Sequence, residues 1–461
     1  MIRASSKPGK VSTLGFRAGT LRIRAMDRSL LAPGLLLALL ALSSPARAQR
    51  PGAPGRPAVA LGGGPAIEVP RRPFPQHNIY PGVRVVPDHL GRAERDAAVV
   101  TLFRAWKRRY LVSAGVDPNG EPRYRVRAGR ALADPTVSEG QGYGMVLCAF
   151  LAGAEPGARR LFDGLLEFAL DHPSTVDGRL MDWFVNADES PDTNGDDSAF
   201  DGDADIAYAL LLAEVQWGNG GRFDYGLLAR DRLEGLLASA VGPTSHLPLL
   251  GDWVDPLGVP YSQWTPRTSD LMPGHFRAFE AALGDGRWRD VRLASQSLVD
   301  AVQASHSPAT GLLPDFLVPT SGSGLPLKPA GAGFLEGPFD GDDYYNACRD
   351  PWRIGVDALL SADPVSVAQA RAIGTWIRSK SGGDPFAIAA GYHLWGGALP
   401  GSNYFTNAFA APFAVATMLD PGAQDFVNAL FDEAAASDED YYEDSLALLS
   451  LIVLTENWWS P

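Results

Sequence analysis

The 461-residue sequence has only two cysteines, Cys148 and Cys348, so a disulfide-based scaffold is excluded. The two thiols could pair in an exported protein, and they are equally compatible with buried free thiols. Basic residues are also in the minority, because 40 Lys and Arg stand against 53 Asp and Glu, a net charge of −13. No basic stripe is evident, which argues against nucleic acid or an anionic membrane surface as a partner.

Motifs of several reaction classes are missing as well. The sequence has no phosphate-binding loop, no HExxH zinc motif and no GxSxG nucleophile elbow. Asp192, Asn194 and Asp196 have a spacing similar to that of a calcium loop. However, Asp197 stands where such a loop needs glycine, and no glutamate closes it. We therefore expect neither a metal ion nor a cofactor.

Long apolar runs are absent beyond the N-terminal region. Residues 30–42 are apolar, follow a basic stretch and precede Ala46-Arg47-Ala48, an order typical of a secretory signal. The run is too short for a membrane anchor. Cleavage after Ala48 would leave 32 basic and 52 acidic residues, a net charge of −20. We expect an acidic, monomeric protein that is secreted or periplasmic and is not held at a membrane.

Composition divides the chain into three parts. Residues 1–48 form the predicted signal region, and residues 49–71 are rich in proline and glycine. Such a composition predicts an unstructured linker. No second linker of that kind follows, so residues 72–461 are predicted to form one catalytic domain.

Strand signals are sparse, and the apolar periodicity is mostly helical. Residues 159–170 carry apolar side chains on one face, the pattern of a helix at the protein surface. Other segments are apolar almost all round and must be covered on every side, namely 145–151, 205–215, 408–419 and 445–455. This alternation predicts two concentric layers, an all-α barrel of helical hairpins. A mixed α/β fold is the alternative.

Two acidic residues stand at the start of apolar segments. Glu139 lies in SEGQGYG (138–144), where glycines leave the backbone free to bring the carboxylate against a ligand. Apolar surroundings would raise its pKa, as a general acid at neutral pH requires. The alternative is a helix-start acid favoured by the helix dipole. Asp201 lies in the turn before the next apolar segment, where it can face a cavity.

A third segment, 334–353, combines acids, an asparagine, arginines and aromatics in one loop-to-helix transition. A solvated acidic loop is the alternative interpretation. Sugar rings pack on aromatic planes while their hydroxyls bond to acids, amides and arginine, so a groove with both features suits a polysaccharide. Single tryptophans can equally be core residues. Aromatics that recur near the acids are Trp183, Trp253, Trp264, Tyr345, Trp352, Trp395 and Tyr404.

Together these segments resemble glycoside hydrolase family 8, which includes endoglucanases and chitosanases. The resemblance implies an (α/α)6 barrel and hydrolysis of β-1,4 linkages with inversion. The matching segments run in order along nearly the whole predicted mature chain: SEGQGYG (138–144), FDGDADIAYALLLAEVQW (200–217), RTSDLMPGHFRAF (267–279), GLLPDF (311–316), YYNACRDPWRIGVD (344–357) and YYEDSLALLSLIVLTENWWSP (441–461).

The resemblance also implies residue roles. Glu139 matches the proton donor, and Asp201 matches the acid that hydrogen-bonds the distorted sugar at the cleavage point. Phe200 departs from the family pattern, which usually has Ser or Thr there. Trp183 matches a stacking platform, and Tyr345 and Arg349 match residues that line the cleavage subsite. We expect the substrate-binding residues to be Trp183, Tyr143, Tyr345, Asn346 and Arg349.

Asn346 is the departure that matters most. Many family members have an aspartate there as general base, and an asparagine cannot take up the proton of water at neutral pH. The resemblance to members with Asn implies a base on a neighbouring loop, for which Glu336 is the best candidate and Asp340 and Asp343 are reserves. In an inverting enzyme the acid and base carboxyl groups lie roughly 6.5–9.5 Å apart.

The sequence therefore predicts an exported, endo-acting, inverting β-1,4-glycan hydrolase of the endoglucanase, lichenase or chitosanase type. The acidic net charge slightly favours cationic chitosan. One alternative is a carbohydrate-binding protein that has lost catalysis with the aspartate at 346. A polysaccharide lyase on a similar barrel is less favoured, because an acidic groove would repel a uronate.

Overall fold

The computed structural model describes residues 69–192, 195–322 and 324–461. The predicted signal region, the predicted linker up to residue 68, and Asn194 of the acidic segment lie outside the described residues. Within the described part of the chain, no helix combines the length and apolar character needed to cross a membrane.

The described residues form twelve α-helices and six short strands. The helices are α1 (Arg92–Tyr110), α2 (Ser138–Phe150), α3 (Ala158–Asp171), α4 (Phe200–Trp217), α5 (Tyr225–Ser239), α6 (Pro273–Leu283), α7 (Gly286–Ser305), α8 (Asp350–Ser361), α9 (Pro364–Ser381), α10 (Asn407–Thr417), α11 (Gln424–Ala435) and α12 (Tyr441–Leu454). The strands form antiparallel pairs: β1 (Leu111–Val116) with β2 (Pro122–Val126), β3 (Thr136–Val137) with β4 (Phe184–Val185), and β5 (Leu317–Pro319) with β6 (Leu327–Pro329).

The helices form two concentric layers. Each even-numbered helix contacts the next one, and α12 contacts α2, which closes an inner ring. The odd-numbered helices pack outside this ring. Every residue of α10 is buried, whereas only seven of the 20 residues of α7 are. The predicted (α/α)6 barrel is confirmed, and the mixed α/β alternative is wrong. The four segments predicted to be enclosed lie in α2, α4, α10 and α12. The segment predicted to be a surface helix lies in α3, but 11 of its 14 residues are buried, so the prediction of a solvent-exposed face is wrong.

Glycines bring α2 and α4 unusually close together. A Cβ atom at Gly202 would lie 2.1 Å from Ser138 Oγ, and one at Gly142 would lie 2.8 Å from the Asp205 Cβ. Only glycine fits at such contacts. The glycines around Glu139 therefore serve helix packing, whereas the sequence suggested that they let the backbone approach a ligand. The close contact places Glu139 on α2 beside Asp201 on α4.

The inner helices all begin at the same end of the barrel. Each inner helix is preceded by an outer helix that runs the opposite way, so the six inner helices run in the same direction. Their N-terminal ends carry positive partial charge, which favours carboxylates. The residues that begin these helices are Ser138, Phe200, Pro273, Asp350, Asn407 and Tyr441.

Both cysteines are buried free thiols. Cys148 lies in α2, and Cys348 lies in a short 3-10 helix, Ala347–Arg349, that precedes α8. The sequence left open whether the two cysteines form a disulfide or stay free, and in the structure they are free.

Candidate active site

A buried arginine lies at the centre of the end where the inner helices begin. Arg349 Nη1 donates hydrogen bonds to Glu139 Oε2 and to Asp201 Oδ2, each at 2.6 Å. Its Nη2 donates to Ser269 Oγ at 2.8 Å. Charge-assisted bonds of this kind are short and strong. One cation therefore joins the first turns of α2 and α4 to the segment that leads into α8.

Glu139 also accepts a bond from the opposite side of the ring. The Tyr441 hydroxyl, at the start of α12, donates to Glu139 Oε1 at 2.9 Å. The glutamate side chain is 17% exposed. Burial raises the pKa of Glu139, and the charge of Asp201 adds to this, although Arg349 and the Tyr441 bond act against it. Glu139 thus keeps its proton to a higher pH than an ordinary glutamate.

The pKa of Asp201 shifts in the other direction. Burial alone would raise the pKa of Asp201, but the positive charges of Arg267 and Arg349 outweigh it and lower the pKa. Arg267 Nη1 lies 3.3 Å from Asp201 Oδ2, and the Gly202 backbone N–H donates to Oδ1 at 2.9 Å. Two carboxyl groups on one arginine therefore have opposite protonation tendencies, the arrangement that separates an acid from an anion.

Asn346 connects this group to Glu336. Its Nδ2 donates to Glu336 Oε2 at 2.8 Å and to Asp315 Oδ2 at 3.3 Å, and its Oδ1 accepts from Arg349 Nη2 at 3.1 Å. Both amide hydrogens are therefore used, and only one lone pair of Oδ1 remains for a water molecule. Glu139 and Glu336 are thus linked through Arg349 and Asn346.

The loop that carries Glu336 is fastened by Asp340. The carboxylate of Asp340 accepts bonds from the backbone N–H groups of Leu335 at 2.7 Å, Glu336 at 3.1 Å and Gly337 at 2.8 Å. The Glu336 side chain is 49% exposed, and Arg267 Nη2 lies 3.8 Å from its Oε1. Asp340 is therefore an anchor of this loop, while the carboxylate of Glu336 faces Asn346 and solvent.

Asp343, the other reserve, is buried. Its Oδ1 has no hydrogen-bond partner among the described residues. Burial raises the pKa of Asp343 well above its usual range, and the charge of Asp350 adds to the effect. Of the three acids that the sequence offered as partner for Glu139, Glu336 alone is both open to solvent and bonded to Asn346.

The predicted substrate-binding aromatics fall into two groups. Tyr345 is partly exposed, and its hydroxyl lies 3.0 Å from that of Tyr404. Trp183 is partly exposed too, and its backbone oxygen accepts from Ser138 N at 2.9 Å, next to Glu139. Tyr143 is only 1% exposed and packs edge-on against Trp352. It is buried beneath the site, so its ring offers no exposed face to a sugar, and its predicted part in substrate binding stays a prediction.

Four residues that hold the site together had no role in the sequence-based predictions, namely Asp315, Arg267, Ser269 and Tyr441. Asp315 accepts from three backbone N–H groups, those of Tyr344, Asn346 and Ala347. Burial raises the pKa of Asp315 to about 8, and the charge of Glu336 contributes. All four residues lie in segments that carried the family resemblance, which was the available signal, and one of them begins the inner helix α12.

The arrangement suits proton transfer to and from a substrate. Glu139 has a raised pKa, Asp201 has a lowered pKa, and Glu336 is a second carboxyl group within the same hydrogen-bonded group. No set of three or more His, Cys, Asp or Glu side chains among the described residues is arranged to hold a metal ion. Acid and base catalysis by carboxyl groups is therefore the chemistry that these side chains can perform.

Comparisons with known proteins identify the family. The family model of glycosyl hydrolases family 8 matches residues 84–456. A beta-glucanase from Niallia circulans is 39% identical over 396 residues, which are 86% of this chain and 93% of that protein. An endoglucanase from Bacillus sp. (strain KSM-330) is 35% identical over 86% of this chain and 83% of that protein.

A solved structure gives the same result. The apo structure of a beta-1,3-1,4-glucanase from Paenibacillus sp. X4 has a TM-score of 0.80 at 38% sequence identity, and covers 85% of this chain and 100% of that one. The chain is a glycoside hydrolase, and it belongs to glycosyl hydrolases family 8.

Proposed function

We propose that this protein is an endo-acting, inverting hydrolase of β-glucan, with Glu139 as general acid and Glu336 as general base. The observation that carries the proposal is the hydrogen-bonded link from Glu139 through Arg349 and Asn346 to Glu336. It joins a carboxyl group of raised pKa to an open carboxylate on a separate loop.

In the proposed reaction, Glu139 gives its proton to the glycosidic oxygen as the bond from that oxygen to the anomeric carbon breaks. Glu336 takes a proton from a water molecule, and the water oxygen bonds to the anomeric carbon from the opposite face. The anionic Asp201 hydrogen-bonds a hydroxyl of the distorted sugar and stabilises positive charge on the ring. Exchange with solvent then returns the proton to Glu139 and removes it from Glu336.

The surrounding residues position these groups. Arg349 fixes the carboxylates of Glu139 and Asp201, and Asn346 orients Glu336. With both amide hydrogens of Asn346 engaged, its free lone pair can accept a bond from the attacking water. Trp183 and Tyr345 offer partly exposed rings on which neighbouring sugars stack. Both were predicted to bind substrate.

Mixed-linkage β-glucan is the substrate that we favour. The relatives named beta-glucanase and beta-1,3-1,4-glucanase are 39% and 38% identical to this chain. An enzyme that cleaves so large a polymer acts outside the cytoplasm, in agreement with the secretory signal predicted at residues 1–48.

The test measures both product and stereochemistry. The full chain is incubated with barley β-glucan, carboxymethylcellulose and chitosan, and reducing ends and viscosity are followed. A rapid fall in viscosity on β-glucan indicates endo action, and proton NMR should show the α-anomer of the new reducing end first, as inversion requires. Initial β-anomer would contradict inversion, and binding to an affinity gel without product would support a binding protein instead.

The Glu139→Gln variant tests the assignment of Glu139 as the general acid. Its turnover of β-glucan should fall by roughly 10²–10⁴-fold, because a general acid contributes that much. Glu121→Gln, at an exposed glutamate in the β1–β2 hairpin, should leave turnover unchanged.

A further inference from the structure

One tryptophan is conspicuously open to solvent and has no part in the proposed reaction. Trp395 is 74% exposed, and it is the one tryptophan among the exposed large hydrophobic side chains of the described residues. A solvent-exposed indole offers a large apolar face on which a ligand can bind. Its surroundings therefore indicate what it binds.

The ring of Trp395 is held in place from below. His393 stacks on it with 5.3 Å between ring centroids and 15° between the planes. His393 Nδ1 in turn lies 2.9 Å from Asp342 Oδ1. Gly397 also packs tightly against the indole, since a Cβ atom there would lie 2.0 Å from the ring. The ring is therefore a fixed, flat surface, and binding to it costs little conformational entropy.

The Trp395 ring lies at the same end of the barrel as the candidate active site. Trp395 belongs to the loop that leads into α10, so it lies at the end of the barrel where the inner helices begin. Within this loop, Tyr392 exchanges two backbone hydrogen bonds of 2.9 Å with Asp343. Further along, the hydroxyl of Tyr404 meets that of Tyr345. The loop is thus attached to the segment that carries Asn346.

A groove adjoins the platform on its outer side. A Cβ atom at Gly396 would lie 3.1 Å from Thr310 and 3.2 Å from Trp376. Both of these residues line an open groove of about 650 Å³ between residues 308–311, which follow α7, and residues 368–379 of α9. Its volume is in the range of ligand-binding pockets. The described lining consists of Pro308, Ala309, Thr310, Gly311, Ala368, Arg371, Ala372, Thr375, Trp376 and Ser379.

The chemistry of this lining matches a neutral sugar. Hydroxyl groups and an indole alternate with small apolar side chains, and the described lining includes one cation, Arg371, and no carboxylate. A cationic polymer such as chitosan would find no counter-charge there. A neutral glucan can place the C–H face of a glucose ring on the indole and its hydroxyls on Thr, Ser and Arg.

We propose that Trp395 and the adjoining groove form a second sugar-binding site, which holds a part of a neutral β-glucan chain away from the cleavage point. The proposal rests on the proposed function. When a long glucan chain is bound at one site, the rest of the chain is present at a high effective concentration at the other site, so the chain binds more tightly overall. A short oligosaccharide reaches only the cleavage site. The second site therefore selects long polymer over short fragments.

The test compares Trp395→Ala with the wild-type full chain on barley β-glucan and on cellotetraose. For the polymer, KM should rise about fivefold with kcat unchanged, since an aromatic contact contributes on the order of a two- to tenfold change in affinity. Kinetics on cellotetraose should not change. Trp395→Phe, which keeps a flat ring, should restore most of the polymer affinity. Equal KM values for Trp395→Ala and wild type on β-glucan would overturn the proposal.

Two further variants define the site. Ala368→Arg fills the groove with a residue that suits a helix, and it should also raise KM for the polymer alone. Leu132→Ala, at a residue that is 77% exposed in the loop between β2 and β3, is the matched control and should change nothing. If Trp395→Ala raised KM for cellotetraose as much as for the polymer, Trp395 would belong to the cleavage site. That result would also overturn the proposal.

Affinity electrophoresis separates this proposal from the proposed function. The probe is barley β-glucan cast into the gel, and the proteins carry Glu139→Gln so that the polymer stays intact. In this background, the protein with Trp395→Ala should be retarded less by the β-glucan than the protein that keeps Trp395. The difference should correspond to a roughly several-fold weaker affinity for the polymer. A wild-type enzyme without hydrolytic activity would refute the proposed function, while the migration difference still decides the role of Trp395.

Discussion

At the scale of single residues, the guanidinium of Arg349 serves two carboxyl groups whose pKa values move in opposite directions. Asp201 is additionally paired with Arg267, which lowers its pKa, whereas Glu139 receives the weaker support of the Tyr441 hydroxyl and its pKa stays raised. The number of cations around each group thus determines which one keeps a proton. Without Arg267, two neighbouring acids would compete for the same proton.

The hydroxyl of Tyr441 should tune the alkaline limit of activity. Its bond to Glu139 stabilises the carboxylate form and so lowers the pKa of Glu139. Tyr441→Phe removes the bond, which raises this pKa further. The alkaline limb of the profile of kcat/KM against pH should therefore move upward by roughly half to one pH unit, the equivalent of one hydrogen bond.

Tyr442→Phe is the matched control for this shift. The Tyr442 hydroxyl donates to the backbone oxygen of Tyr345 at 2.6 Å and not to Glu139. Its removal should leave the alkaline limb in place. A downward shift in Tyr441→Phe, or equal shifts in both variants, would contradict the account.

The sequence identified Glu139, Asp201, Asn346 and Arg349, and the structure brings these four together. Their contacts join residues up to 210 positions apart in the chain, and only the family resemblance pointed to them as one set. Tyr441 was not recognised, because nothing local distinguishes it from a tyrosine at the start of a buried helix. Only closure of the ring brings α12 against α2.

At the scale of elements, the loop around Glu336 depends on Asp340. Three backbone N–H groups converge on this one carboxyl group, which makes the loop a compact turn around a buried side chain. The position of the proposed base is therefore set by a residue that is itself buried.

Asp340→Ala should displace the base while leaving the barrel folded. Three backbone donors lose their acceptor, so hydrogen exchange should accelerate in residues 333–341. Because misplacement of a catalytic group by about 1 Å can cost roughly 100-fold in rate, kcat should fall by about that factor. Asp340→Asn retains one acceptor oxygen, so its kcat should fall by a smaller factor. Full activity in Asp340→Ala would show that the loop does not position the base.

The sequence predicted four of the six inner helices, and the two that it missed have a common reason. Arg353 of α8 donates to both carboxylate oxygens of Asp205 on α4, at 2.8 and 2.6 Å, and His275 of α6 lies 2.9 Å from the same carboxylate. Buried ion pairs between helices interrupt the apolar pattern of α6 and α8. Such helices do not stand out as wholly apolar segments, because they carry charged residues whose partners are remote in sequence.

At the scale of the whole molecule, several buried acids make stability depend on pH. Burial raises the pKa of Asp270 to about 7, and it raises those of Asp343 and Asp350 well above the usual range. An unfolded aspartate has a pKa of about 3.9. As the pH rises from about 4 to 7, the native state therefore keeps protons that the unfolded state releases, and the free energy of unfolding falls.

Asp205 and His275 change the pH dependence of stability in the opposite sense. Although burial alone would raise it, the pKa of Asp205 is lowered by Arg353, so its contribution is lost only below about pH 4. Burial lowers the pKa of His275, which makes the protein slightly more stable as the pH rises through about 6.5. The acids with raised pKa values, which also include Asp315, outweigh the one histidine in this range.

We therefore expect a higher melting temperature at pH 5 than at pH 8, by roughly 2–5 °C. Differential scanning calorimetry at constant ionic strength measures it, and Asp270→Asn should reduce the difference because it removes one of the titrating groups. A melting temperature that is equal or higher at pH 8 would contradict the assignment of these buried acids as protonated.

The most direct test of the acid and base assignment compares Glu139→Gln with Glu336→Gln on two substrates. A dinitrophenyl β-cellotrioside has a leaving group that needs no proton, whereas barley β-glucan does need one. The account predicts that Glu139→Gln, impaired on β-glucan, recovers most of the wild-type kcat on the dinitrophenyl substrate, while Glu336→Gln remains impaired on both because the water is still not activated. Recovery by Glu336→Gln, or failure of Glu139→Gln to recover, would contradict it.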